Sequence, residues 1–208
     1  MRESTGQRGR SLDFPRAECD HAGVNVWLKR IVFGALIAAL AWSLAQPSGG
    51  PPTGQAAPPL RVPMLTGDAH YDLDAVPGRT VVLDFWATWC PPCRVTLPVL
   101  QRVHLRYADS DVDVLGVNTE GGVRARDLVS RFMKSNGYDF RVLLDDGTAS
   151  RNWRVESIPT LVVVAPDGTV DTVQVGVHQS DAAAMEADLV SRIEAARARG
   201  GVGAQPGG

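Results

Sequence analysis

This chain is poor in the residues that would turn disulfides or metal ions into a structural framework. Its 208 residues include three cysteines and four histidines. Three cysteines close at most one bridge within a chain, so a disulfide scaffold is excluded. A structural zinc site needs four ligands, usually from two closely spaced pairs. His21, His70, His104 and His178 are scattered and form no such pair, so no metal is expected. A surplus of one charge is lacking too. Twenty-one Lys and Arg against 23 Asp and Glu leave a formal net charge of −2, and nothing in that balance calls for a nucleic-acid partner. No long hydrophobic run is present either. Ile31 to Ala45 spans only 15 residues, where a membrane helix needs about 20.

The surroundings of that run give it meaning. Six basic residues lie at or before Arg30, and no charge of either sign occurs from Ile31 to Leu60. This asymmetry predicts a cytoplasmic N-terminus and export of everything that follows. Val24, Val26, Trp27 and Leu28, with Lys29 and Arg30 snorkelling, extend the run enough for a tethering helix. The alternative is a cleaved signal peptide, for which Ser43-Leu44-Ala45 supplies small residues. The tether is the preferred reading. Cys19 then lies on the cytoplasmic side as an unimportant thiol. The expected organisation is a cytoplasmic segment over 1–25, an anchor or signal over 26–45 and a linker over 46–59. A single domain over 60–199 and a Gly-rich tail over 200–208 complete it. The linker holds five prolines, three glycines and no charge, a composition that cannot form a core.

Within 60–199 the pattern alternates. Strands are predicted at Thr80–Trp86, Val112–Val117, Arg141–Leu144, Leu161–Ala165 and Val170–Val175. The first and fourth are nearly all apolar, as in strands buried on both faces. Asp167-Gly168 marks a hairpin turn. Leu100, Val103 and Tyr107, then Leu128 and Phe132, then Met185, Leu189 and Ile193 recur at helical spacing. Asn136-Gly137 closes the second of these helices. The order predicts a central mixed sheet with helices on both faces.

The residues that carry chemistry are Cys90-Pro91-Pro92-Cys93, directly behind Trp89 and the strand ending at Trp86. Two cysteines at this spacing can close and reopen a small ring at a strand-to-helix turn, where a helix N-terminus favours a thiolate. A permanent staple is the weaker reading, because so short a loop removes little unfolded-chain entropy. The segment Trp86-Ala87-Thr88-Trp89-Cys90-Pro91-Pro92-Cys93 resembles the active-site segment of the thioredoxin superfamily. The likeness is strongest to its membrane-tethered TlpA/ResA-like branch of extracytoplasmic thiol-disulfide oxidoreductases.

That resemblance implies a thioredoxin-like three-layer α/β/α fold with an N-terminal membrane helix. It also implies a redox-active Cys90–Cys93 disulfide. Cys90, expected at an exposed helix N-terminus, is the nucleophile, and the more buried Cys93 is the resolving thiol. Asp84, set in an apolar strand, corresponds to the aspartate that serves the resolving thiol as proton acceptor. Burial should raise its pKa. The ResA type has a glutamate three residues after the second cysteine, and here that position is Thr96, which throws more weight onto Asp84. Ile158-Pro159 matches the loop whose cis-proline faces the cysteines. The residues alone support only a proline before a buried strand. By the resemblance, Ile158 and cis-Pro159 bind substrate, the Ile158 backbone pairing with an extended chain. Trp89 is read as a contact surface and Trp86 as core. Pro98 should kink the helix after the site. Gly176, Glu120 and Glu156 are weaker candidates for the rim.

Pro91 and Pro92 lack N–H groups, so two donors that would stabilise a Cys90 thiolate are missing. This predicts a moderately reducing pair, not a strong oxidant. The expected enzyme reduces disulfides in exported proteins and is recharged by a membrane donor of the thiol-reductase type, with no cofactor. Cytochrome c or oxidase maturation are the settings the resemblance suggests. The expected location is the outer side of the cytoplasmic membrane, or the periplasm after signal cleavage. The alternatives are a thiol peroxidase and a copper(I)-handling protein. Soft thiolates suit copper(I), but Met64, Met133 and Met185 are not clustered in the sequence.

Overall fold

The computed structural model describes residues 27–37, 49–178 and 181–200. Residues 27–37 form a helix, α1, with every side chain exposed. Among the described residues no helix is long and apolar enough to cross a membrane. The expected anchor over 26–45 runs past them at both ends. The 1–25 segment with Cys19, and residues 201–208, also lie outside the described residues.

From Gly49 the chain builds two sheets. Strands β1 (Arg61–Pro63) and β2 (His70–Asp72) form an antiparallel pair. A five-stranded sheet follows: β3 (Thr80–Trp86), β4 (Val112–Asn118), β5 (Arg141–Leu144), β6 (Thr160–Val164) and β7 (Val170–Val175). Its spatial order is β5-β4-β3-β6-β7. Strands β3, β4 and β5 are parallel, while β6 and β7 are antiparallel additions. The sheet is therefore mixed, as its element order predicts. Every residue of β3 and β4 is buried, the signature of central strands covered on both faces.

Helices α2 (Cys93–Arg106), α3 (Ala125–Asn136) and α5 (Ala182–Gly200) pack on one face, around Val82, Trp86, Leu97, Leu100, Val129 and Ile193. Gly116 is required there, because a Cβ would stand 2.7 Å from Trp86 Nε1 and 2.8 Å from Phe140. The other face is covered differently. The short α4 (Thr148–Asn152), Trp153 and the β1–β2 pair close it over Leu83, Phe85, Leu115 and Val162. The three-residue β1 and β2 and the five-residue α4 fall below what periodicity can detect.

One expectation is corrected. The Pro/Gly-rich stretch read as a linker is in large part bonded to the domain. Gly50 N–H donates to Arg154 O, Gly54 N–H to Val170 O and Ala57 N–H to Gly168 O, while Val170 N–H donates to Gln55 O. Gly50 and Pro51 are buried. Among the described residues, hydrogen bonding to the domain thus starts at Gly50, before Leu60. Composition predicts only that such a segment has no core of its own. The missing hydrogen-bond partners come from Arg154, from Gly168 in the β6–β7 turn and from Val170 at the start of β7.

Candidate active site

Strand β3 delivers the chain to the C-terminal edge of the sheet and α2 carries it away. Between them Cys90 and Cys93 are joined by a disulfide, with S–S 2.05 Å and Cα–Cα 5.3 Å. Helix α2 begins at Cys93 with Pro92 as its N-cap, so Cys93 opens the helix and Cys90 sits in the turn before it. Pro91 and Pro92 donate nothing, and the N–H facing Cys90 Sγ is that of Cys93, at 3.2 Å. Ile158 O lies 3.8 Å from the same sulfur. In the disulfide that sulfur bears no hydrogen, so this is a contact and not a hydrogen bond.

The Ile158–Pro159 peptide bond is cis. Gly176 fixes the loop from the far side by donating its N–H to Pro159 O at 2.7 Å, from a left-handed conformation with φ +78°. Its Cβ would meet nothing within 4 Å, so the backbone conformation and not the space selects glycine. Trp89 is 66% exposed, while Trp86 is wholly buried against Phe132. The expectation of an exposed Cys90 does not hold. In the disulfide form Cys90 is 2% exposed, barely more than Cys93, because it packs into the same cluster as Trp86 and Ala87.

Asp84 is 1% exposed and shares the α2 face of the sheet with Val82 and Trp86. Its Oδ2 accepts from Thr96 Oγ1 at 3.2 Å, and Thr96 Oγ1 also lies 3.0 Å from Cys93 O. Its Oδ1 has no partner among the described residues. Burial pushes the carboxyl up to about 7, and the Thr96 bond offsets this only in part. A cavity of about 20 Å³ adjoins it, lined among others by Thr96, Pro159, Gln174 and Gly176, room for about one water. Thr96, which departs from the ResA-type glutamate, thus stands between Asp84 and Cys93 O, with one hydroxyl hydrogen for the two acceptors.

These contacts had no readable sequence signal, because they depend on the residues after β4 and the first turn of α2 both meeting the turn before Cys90. Glu120 accepts from the Thr88 N–H and hydroxyl, Arg94 donates to Thr88 O, and Thr119 N–H donates to Trp86 O. Among the described residues Glu156 makes no hydrogen bond or ion pair of this kind. Among the described residues no group of three or more His, Cys, Asp and Glu could hold a metal ion.

A cysteine pair closing a disulfide at the head of α2, opposite a cis-proline on a mixed five-stranded sheet, defines a thioredoxin-like protein of the thiol-disulfide oxidoreductase class. Comparison with known proteins agrees. The Redoxin family model matches residues 52–189, and the chain belongs to that family, within its TlpA/ResA-like branch. It is 30% identical over 154 residues to the thioredoxin-like protein YneN of Bacillus subtilis, covering 72% of this chain and 89% of that one. It is 31% identical over 112 residues to the thiol-disulfide oxidoreductase ResA of the same organism, covering 53% of this chain and 61% of ResA. Among solved structures it resembles a putative thiol:disulfide interchange protein DsbE from Chlorobium tepidum. That match has a TM-score of 0.59 and 28% identity over 68% of this chain and 98% of the other.

Proposed function

We propose that the protein reduces disulfides in exported proteins, with Cys90 as nucleophile, Cys93 as resolving thiol and Asp84 as proton acceptor. The observation that carries this reading is the Cys90–Cys93 disulfide lying against the Ile158–cis-Pro159 loop, 3.8 Å from Cys90 Sγ to Ile158 O. In the reduced protein the Cys90 thiolate attacks one sulfur of a substrate disulfide. That bond breaks, the departing substrate sulfur takes a proton, and a mixed disulfide forms. Cys93 passes its proton to Asp84, attacks Cys90 Sγ and releases the second substrate thiol. The substrate gains two electrons and two protons, and the protein is left as the disulfide. A membrane dithiol donor then restores it.

Several features support these roles. The first is the Cys93 N–H, held where a Cys90 thiolate would accept it. The second is the buried, half-partnered Asp84 carboxylate, whose pKa near 7 suits a general base. Ile158 presents a backbone carbonyl beside the sulfur, suited to pairing with an extended substrate, and Trp89 presents an exposed ring next to it. The charge asymmetry around residues 31–60 supports placement on the outer side of the cytoplasmic membrane, tethered or released. Cytochrome c apoproteins, or the metal centre of an oxidase, are the settings proposed for the substrate.

The test is a trap. Cys93→Ser leaves Cys90 to hold its partner as a mixed disulfide. The expected product is an exported protein with reducible cysteines, released by dithiothreitol. Partners trapped equally by Cys90→Ser would overturn the assignment of Cys90.

A further inference from the structure

The turn that carries Trp89 and Cys90 has little of its own to hold it. Within it one backbone bond forms, Cys90 N–H to Ala87 O at 3.2 Å, and Pro91 and Pro92 offer no N–H. The Thr88 peptide groups instead find partners outside. Thr88 N–H donates to Glu120 Oε2 at 2.9 Å and Thr88 Oγ1 to Glu120 Oε1 at 2.7 Å. Thr88 O accepts from Arg94 Nη2 at 3.0 Å. A carboxylate thus takes one side of the residue and a guanidinium the other, both in charge-assisted bonds.

Strand register brings this about. Trp86 and Asn118 are partners at the ends of β3 and β4, so two residues further on Thr88 meets Glu120. Glu120 is itself fixed. Asn118, wholly buried, donates from Nδ2 to Glu120 Oε2 at 3.1 Å and accepts Glu120 N–H on Oδ1 at 3.1 Å. Thr119 N–H secures Trp86 O at 2.9 Å. A carboxylate that was only solvated would have no such support.

We propose that Glu120 is a positioning residue for the reaction, holding the Thr88–Trp89–Cys90 turn so that Trp89 and Cys90 meet a protein disulfide in one fixed arrangement. The proposal rests on the reading of Cys90 as the attacking sulfur.

Insulin reduction by the full chain tests it, together with deuterium exchange at the Thr88 amide. Glu120→Ala is expected to lower kcat/KM for insulin about tenfold, mostly through KM, as two charge-assisted bonds are lost. Glu120→Gln, which keeps an acceptor oxygen, should recover about a third of wild-type kcat/KM. Thr88→Val should fall between them, and the double variant should be no worse than Glu120→Ala alone, because both remove one shared contact. Thr88 amide exchange should quicken at least about tenfold in Glu120→Ala while the amides of β3 and β4 stay protected. Insulin kinetics within about twofold of wild type, losses that multiply in the double variant, or unchanged Thr88 exchange would each overturn the proposal. A wild-type protein that reduces no insulin would overturn the reading of Cys90 instead, and Thr88 exchange would then decide the clamp by itself.

Discussion

Asp84 and Asp113 sit on neighbouring central strands, 1% and 4% exposed, and the fold treats them in opposite ways. Asp113 lies toward the N-terminal end of the parallel strands. It receives Arg79 at 2.7 Å and Arg141 at 2.6 Å on Oδ1, and the Tyr71 hydroxyl at 2.9 Å on Oδ2. Burial works against its charge, but the two guanidinium groups and the phenol outweigh this and hold the carboxyl below the usual range. Asp84, toward the cysteine end, receives one threonine hydroxyl and leaves an oxygen bare. One end of the sheet is satisfied and built for stability. The other is left short of partners beside the cysteine pair, which is where the proposed proton transfer would use a perturbed titration.

The sharpest way to break this contrast is Asp84→Asn. The amide keeps the shape and loses the proton acceptor, so resolution of the mixed disulfide should slow by about 10²–10⁴-fold, read by stopped-flow at neutral pH. Unchanged resolution would make Asp84 a packing residue like any other.

Stability against pH offers a second test, with opposite signs at the two ends. Between the ordinary aspartate value of 3.8 and about 7, folded Asp84 keeps a proton that the unfolded chain has released. Its contribution to stability therefore falls as pH rises through that window. The cost is complete above it, at most about 4 kcal/mol. Asp84→Asn should match wild type near pH 4 in denaturant titrations and exceed it at pH 8. Asp113, held low, stabilises the fold above the unfolded aspartate value and loses that contribution as pH falls below it.

Asp113→Asn should do the reverse of Asp84→Asn. It leaves two arginines without their shared anion and should cost about 2 kcal/mol. That is less than the full penalty for a buried pair, because both arginines are about a third or more exposed. Insulin reduction per folded molecule should change little. Tyr71→Phe removes one hydrogen bond from the same group and should cost about 1 kcal/mol. Activity losses at this end larger than stability losses would dissolve the comparison.

The sequence showed one of these ends better than the other. Asp84 stands out because it interrupts an apolar strand six residues before a cysteine motif. Asp113 does not, since its partners are 28, 34 and 42 residues away and only the folded sheet brings them together. Strands β3 and β6 are legible because they are nearly all apolar, as central strands are, and Asp167-Gly168 punctuates β6 and β7. The three-residue strands β1 and β2 leave no such trace. In the sequence Thr96 is only a departure from a pattern, since its bond to Asp84 needs the helix to be docked. Glu120 reads as a rim charge, because its grip on Thr88 depends on the register of β3 against β4. Residues 50–57 misled through composition, since proline and glycine advertise an absence of core and not an absence of partners.

Those residues have a further consequence. The same N-terminal stretch reaches both margins of the five-stranded sheet. Gln55 and Ala57 occupy backbone groups beside β7, and Leu65 N–H occupies Val142 O on β5. Both rows that would otherwise template another strand are partly taken by the chain's own backbone. An open row of this kind is a route to strand-by-strand polymerisation. The margins of the sheet are therefore the surface most in need of such blunting. A version beginning at Leu60 would expose the β7 margin and should polymerise, visible by light scattering, while one beginning at Pro47 should stay dispersed.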